Sequence, residues 1–291
     1  MDTGFLLQLA LNGIVIGLIY ALIAVGLSLI FGVLEIVNFA HGQLFMLGAF
    51  AMLLIVSGLG LGYLVGVVGA VLLTGVLGFV LYQTLLRHLG QGEFERGIIL
   101  TLGIGMVLQN GTIALLGASP NVVDTEFAFV TLDLAGLHLD LQRAIAVGLS
   151  IAALAGLYLL LHHTRMGKAM RAFAQNREAA LMVGMRPTRI AGQAVVLGVA
   201  FAGLAGAALA PVFTVHPVMG IPILFKSFAI VIVGGLGHIP GAVVAALLIG
   251  TLESFVGGFS SLSMQDGVAF LAMIAILWLR PAGLFGKGVR V

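Results

Sequence analysis

The sequence predicts an all-α polytopic membrane protein: a bundle of about eight transmembrane helices, some of them broken or half-helices, with a small β-hairpin on the outer surface. Three observations lead there. Hydrophobic residues make up 61% of the 291-residue chain and charged residues 8%, with a mean hydropathy of +1.21. A soluble domain carries roughly 25% charged residues, so this chain could not cover a globule in water. Apolar runs of about 20 residues recur along its length, each able as a helix to cross a ~30 Å hydrocarbon core. Its 42 glycines are about twice the usual share, which suits helices that approach closely in lipid.

Taken in order, the expected helices are the apolar runs near 5–30, 44–57, 62–86, 97–117, 143–162, 192–211, 221–236, 239–257 and 266–280, within a single domain over 1–291. The second and seventh are short for a crossing and are expected to be tilted, re-entrant or half-helices. The chain opens Met-Asp-Thr-Gly with no basic segment, so the first run reads as a retained helix, not a cleaved signal. GxxxG spacings at Gly13/Gly17, Gly62/Gly66 and Gly237/Gly241 are candidate packing faces.

Lysine and arginine positions set the orientation. Arg87 and Arg96 flank one loop. Arg165, Lys168, Arg171, Arg177, Arg186 and Arg189 crowd a second, over about 163–191, and Arg280, Lys287 and Arg290 mark the tail. These segments are predicted to be cytoplasmic. The loop over about 118–142 instead carries Asp124, Glu126, Asp133 and Asp140, and is predicted to lie outside with the N-terminus. Within it, "FVTLDLAGLHLDL" alternates apolar and polar residues about Ala135-Gly136, the pattern of a β-hairpin.

The basic loop, "RMGKAMRAFAQNREAALMVGMRPTRIAG", reads as two helices. Residues 166–175 form a short basic one. Asn176 is a good N-cap, Glu178 in the next turn suits the helix dipole, and Gly184 fits a C′ position. This second helix offers Ala179, Leu181 and Met182 to water, which suggests docking into a groove on another protein; the alternative is a solvated loop that only sets topology.

Glu35, Asn38, His41 and Gln43 fall between an apolar run and a short one, with Gly32, Gly42 and Gly48 nearby. Polar side chains in a membrane usually face a cavity or each other, so these four are either a substrate pathway or gate, or hydrogen-bonded links between helices. A second break, Gly234, Gly235, Gly237, His238, Pro240 and Gly241, echoes the first and would form a hinge or pathway break, unless two glycine-rich helices simply look alike. Glu253 is expected to face the bundle or a partner chain, and Lys226 to snorkel to a headgroup.

Other chemistries find little support. There is no cysteine, hence no disulfide framework and no thiolate metal site, and His162-His163 lacks the spacing of a zinc site, so no metal is expected. Asn110-Gly111-Thr112 matches a glycosylation sequon but falls within a span, where it is discounted. The pI near 9.2 reflects loop arginines and lysines, not a nucleic-acid surface. Gly167-Lys168 lacks the upstream glycine of a phosphate loop and is followed by Ala169, so the chain is expected not to be an ATPase of that kind. Glu35 and His41 would be the acid–base pair of a membrane enzyme, and Glu35 and Glu253 the ion-coupling carboxylates of a secondary transporter.

Three stretches carry a family resemblance. "GLSLIFGVLEIVNFAHGQLFMLGAF" (residues 26–50), "FKSFAIVIVGGLGHIPGAVVAALLIG" (residues 225–250) and "RPAGLFG" (residues 280–286) resemble the branched-chain amino-acid ABC transporter permeases, in particular the shorter, H-type subunit. Glu178-Ala179-Ala180, Gly184 and Ile190 resemble the EAA loop of ABC-importer permeases, although the Leu-Pro end of that pattern is missing and Pro187 stands elsewhere. The resemblance implies a multi-pass protein of the bacterial inner membrane. It also implies a second related permease, two cytoplasmic ATPases and an extracytoplasmic binding protein as partners. ATP and Mg would be used by the ATPases, with no cofactor on this chain, and Glu178, Ala179, Ala180, Leu181 and Gly184 would dock them. The implied cargo is branched-chain amino acids, with urea or short amides as the alternative.

Overall fold

A computed structural model describes residues 3–89, 93–128, 130–134, 136–260 and 262–286. Met1 and Asp2, Ala135 of the expected turn, and Lys287 and Arg290 of the expected basic tail lie outside the described residues.

The helices are α1 (Thr3–Leu34), α2 (His41–Leu53), α3 (Tyr63–Thr84), α4 (Phe94–Leu116), α5 (Leu141–His163), α6 (Arg165–Gln175), α7 (Arg177–Met182), α8 (Pro187–Leu209), α9 (Gly220–Gly234), α10 (Ile239–Phe259) and α11 (Leu262–Leu279). Each apolar run of the sequence has become a helix. Among the described residues, seven helical stretches are long and apolar enough to cross a membrane. The second of them, His41–Gly58, reaches that length only because the π-helical turn Leu54–Gly58 extends α2. Gly220–Gly234 and Met264–Leu279 are shorter apolar helices.

α1 is the axis of the bundle, and residues 19–30 along it are all buried. A side chain on Gly13 would place its Cβ 2.6 Å from the Cα of Thr251, and one on Gly250 would lie 2.6 Å from the Cα of Gly17. The backbones of α1 and α10 therefore touch, and Gly13/Gly17 is a true packing face. The other two spacings are not. Gly62 is the N-cap of α3 with nothing near it, and Gly237 sits between helices at φ +75°. α8 closes on the other side of α1 by the same means, with Gly26 and Gly198 back to back.

β1 (Thr131–Leu134) and β2 (Leu137–Asp140) pair antiparallel, Thr131 opposite Asp140 and Leu134 opposite Leu137. Gln8 near the start of α1 holds the hairpin in place. Its Nε2 donates to the His138 carbonyl at 2.9 Å, and its Oε1 accepts from His138 N at 3.0 Å. Asn121 and Val215 exchange backbone hydrogen bonds beside it. One end of the bundle thus carries the hairpin, and the other carries α6 and α7.

Candidate functional site

The first break is an unwound leg of chain inside the bundle. α1 stops at Leu34, where Glu35 takes up φ +57°, the left-handed region. The chain then doubles back, because His41 Nε2 lies 3.1 Å from the carbonyl of Ile23. Ile23 stands twelve positions before Glu35, roughly 18 Å up the helix. Residues 35–40, which turn at Glu35 and again at 39–40, carry the chain back along α4, from Ile36 beside Gly97 to Ala40 beside Gly105. α2 therefore starts deep in the bundle, as a half-helix.

Unwound backbone in a membrane needs partners for its polar groups, and the sequence supplies them. Asn38 Oδ1 accepts from Ala40 N at 3.1 Å. Thr101 of α4 accepts from Phe39 N at 3.1 Å and donates to the carbonyls of Gly97 and Val37 at 2.8 and 3.3 Å. Gln43 Nε2 donates to Gln109 Oε1 of α4 at 3.1 Å. Since the Ile23 carbonyl can only accept, His41 carries its proton on Nε2. His41 Nδ1 and Gln43 Oε1 are both buried without a hydrogen-bond partner. They are acceptors held inside the bundle.

Glu35 does not join this group. Asn38, His41 and Gln43 are buried together, whereas Glu35 is exposed at the α6–α7 end. There it lines a cavity of about 270 Å³ with Tyr82, Arg87, Glu93, Phe173 and Arg177. Glu35 and His41 lie at different depths, so no acid–base pair is assembled. Gln109 of α4 is a polar partner of the break that no local motif announces.

α9 is the counterpart half-helix. Its 15 residues span about 22 Å, short of the ~30 Å core. Its first residue meets the first turn of α2: a Cβ on Gly42 would lie 2.2 Å from the Gly220 carbonyl oxygen, and one on Gly220 2.4 Å from that of Gly42. Two helix N-termini, each with partial positive charge from unpaired N–H groups, therefore meet inside the bundle next to Asn38, His41 and Gln43.

The second break follows α9. Gly235 (φ +97°) and Gly237 (φ +75°) turn the chain, and His238 Nδ1 caps α10 by accepting from Gly241 N at 3.0 Å. A Cβ on Gly241 would lie 2.1 Å from the Gly234 carbonyl oxygen. Gly237 lies on Gly32 at the end of α1, and Leu284 N donates to the Val233 carbonyl at 2.8 Å. The His238 and Phe285 rings stack at 5.7 Å. All three stretches that carry the family resemblance thus converge at the α6–α7 end.

α6 and α7 form the helix–turn–helix that the loop sequence predicts. Thr164 Oγ1 caps α6 by accepting from Gly167 N at 3.0 Å, and Asn176 Oδ1 caps α7 by accepting from Ala179 N at 2.9 Å. Gly184 at φ +79° closes α7. Its N–H reaches the Leu181 carbonyl at 3.0 Å and that of Met185 the Ala180 carbonyl at 3.1 Å, the paired bonds of a Schellman end. Ala180 is buried with Met170, Phe173 and Ile190, Ala179 is half-buried, and Glu178 and Leu181 are exposed. Met182 and Val183 are 82% and 73% exposed, so the loop shows an apolar tip to its surroundings.

One cluster has no local sequence signal. Lys226 does not snorkel. It is buried, with Nζ 3.1 Å from Tyr20 Oη, 3.1 Å from Glu253 Oε1 and 3.0 Å from Asp266 Oδ1. Tyr20 Oη donates to Glu253 Oε2 at 3.0 Å. Glu253 faces the bundle and is fully buried, while the Asp266 side chain is 76% exposed. Four helices, α1, α9, α10 and α11, each contribute one member.

The family described as branched-chain amino acid transport system, permease component, matches residues 9–277. The chain belongs to that family. It is 27% identical to the high-affinity branched-chain amino acid transport system permease protein LivH of Escherichia coli K12, over 97% of this chain and 96% of that one. It is 28% identical to the corresponding permease protein BraD of Pseudomonas aeruginosa, with the same coverage. A probable LivH of Methanocaldococcus jannaschii is 28% identical over 91% of this chain and 88% of its own. Among solved structures, PsaBC from Streptococcus pneumoniae in complex with Fab shares the fold, at a TM-score of 0.53 and 13% identity, over 94% of this chain and 93% of that one. This family member is a multi-pass helical membrane protein.

Proposed function

We propose that this chain is one membrane-spanning subunit of an ATP-binding-cassette importer that moves branched-chain amino acids inward. A second related permease completes the path, two cytoplasmic ATPases supply the energy, and an extracytoplasmic binding protein delivers the cargo. The hairpin end and the N-terminus face outside, and α6 and α7 face the cytoplasm.

The observation that carries this reading, beside family membership, is α7: a helix capped at both ends that exposes an apolar tip at Met182 and Val183. An apolar tip in water is stabilised only by a partner, and a six-residue helix is rigid only because its caps hold it. ATPase closure pushes on α7. Buried Ala180 passes the push to α6 and α8, and Arg177, on the cavity wall shared with Glu35, passes it to the end of α1. Gly234, Gly235, Gly237, His238 and Gly241 are the hinge. Asn38, His41 and Gln43, with the meeting N-termini of α2 and α9, are the gate. Its paired dipoles favour a carboxylate, as broken helices do in other transporters.

The test is uptake of labelled leucine into proteoliposomes carrying the co-purified complex, ATP inside and binding protein outside. Leucine enters with ATP and unlabelled isoleucine competes. Met182→Glu, on a surface position, leaves the permease pair folded but lowers ATP-driven uptake by about tenfold, the loss of ~1.4 kcal/mol of docking. Failure of leucine with passage of labelled urea changes the cargo, and uptake indifferent to ATP ends the importer reading.

A further inference from the structure

The Lys226 cluster adjoins an apolar groove, which is lined by Phe225, the neighbour of Lys226, and by Phe270, one turn on from Asp266. Along α1 the spacing Tyr20, Leu27, Phe31 is that of one helix face, and along α11 so is Asp266, Phe270, Met273. Leu27, Phe31, Phe228, Ala229, Phe270 and Met273 line a groove of about 480 Å³ whose wall is apolar throughout, a volume in the range of small-molecule sites. α1 and α11 run from the hairpin end toward the α6–α7 end, and α9 runs the same way from its start inside the bundle, so the polar members lie above and the apolar ones below. The groove reaches down to Val37 and Phe39 of the unwound leg.

We propose that this cluster and groove hold the cargo in passage, with Asp266 taking the α-ammonium, Lys226 sharing the α-carboxylate, and the groove receiving the branched aliphatic side chain. The inference rests on the importer reading above and adds the residues that recognise the cargo. Charge complementarity selects this occupant. One ammonium stands between two carboxylates, and the outer carboxylate, Asp266, is exposed. Asp266 pairs with Lys226 through Oδ1 and keeps its second carboxylate oxygen for a further cation. A cation site and the Lys226 ammonium, open to an anion when its contact with Asp266 exchanges, thus lie a few ångströms apart beside a surface with nothing polar on it. That is the pattern of an amino acid with a hydrocarbon side chain. Glu253 and Tyr20, buried behind Lys226, hold the ammonium in place while its other contacts exchange. A lipid acyl chain or a helix of the second permease would use the apolar wall but has no need of the charges at its top.

The chain contains no cysteine, so Phe225→Cys and Phe270→Cys each place a single thiol on the groove. In the assembled complex in proteoliposomes, a charged, water-borne methanethiosulfonate is expected to label these thiols, and leucine transported with ATP and binding protein is expected to slow the labelling. Labelling only by an uncharged, lipid-soluble maleimide assigns the groove to lipid and overturns the proposal. Labelling by neither assigns it to the partner permease and overturns the proposal equally. In parallel, Asp266→Asn is expected to lower ATP-driven leucine uptake by about tenfold, the loss of a charge-assisted hydrogen bond, and Asp266→Glu to retain most of it. Full uptake by Asp266→Asn overturns the proposal while leaving the importer intact, whereas absence of ATP-driven uptake in the unaltered complex overturns the importer reading itself.

Discussion

At Glu35 a single backbone angle decides where α1 ends. A non-glycine residue in the left-handed region carries a penalty of about 1–2 kcal/mol, and here the unwound leg and the Gly32–Gly237 contact hold it in place. Glu35→Gly is therefore expected to raise the melting temperature of the purified complex by a few degrees, and Glu35→Val to lower it, because a branched Cβ fits that region worst. Equal melting temperatures for the two would mean that the angle is not constrained. Charge alone made Glu35 a member of the polar group in the sequence, yet the φ of Glu35 sends its side chain to the cavity beside Arg177. His41 and Gln43 were legible as intramembrane polar residues, but their partners were not: Ile23 and Gln109 lie 18 and 66 positions away. The Lys226 cluster was illegible for the same reason. Tyr20, Lys226, Glu253 and Asp266 are ordinary residues on four helices, and only the packing of α1, α9, α10 and α11 brings them within 3.1 Å.

Elements were far easier to read than their mutual placement. Apolar runs marked every long helix, alternation about Ala135-Gly136 marked the hairpin, and Asn176 with Gly184 marked both ends of α7, because each signal is local. The two runs read as short are α2, which reaches spanning length only with the π-helical turn Leu54–Gly58, and α9, which stays short. That their N-termini meet could not be read, since Gly42 and Gly220 stand among 42 glycines and only the fold selects this pair. The contact makes a sharp prediction. A methyl group on Gly42 or Gly220 would meet a carbonyl oxygen at 2.2 or 2.4 Å, and backbone cannot yield as a side chain does. Gly42→Ala and Gly220→Ala are each expected to destabilise the permease by about 1–3 kcal/mol. Gly103→Ala on α4, where a Cβ meets nothing within 4 Å, is expected to leave the melting temperature unchanged. Equal tolerance of all three would place the two helix ends apart.

For the whole molecule, everything about coupling depends on which end faces the cytoplasm. The charge pattern is one-sided. Six basic residues crowd the α6–α7 loop, while the loop of the hairpin carries Asp124, Glu126, Asp133 and Asp140. The structure separates these two loops to opposite ends of α5, Leu141–His163, so one orientation answers for both. Leu132 on the hairpin and Met182 on α7 are exposed, and cysteine at either is the only thiol in the chain. In intact cells a membrane-impermeant maleimide is expected to label Leu132→Cys and to leave Met182→Cys unlabelled until the membrane is opened. If α7 docks the proposed ATPases, they should shield Met182→Cys in opened membranes that hold the whole complex, and their removal should expose it. Labelling of Met182→Cys from outside would invert the molecule, put α7 where no ATPase can reach it, and leave its apolar tip to some extracellular partner. Ready labelling from inside with the ATPases still bound would keep the orientation and take the coupling role away from α7.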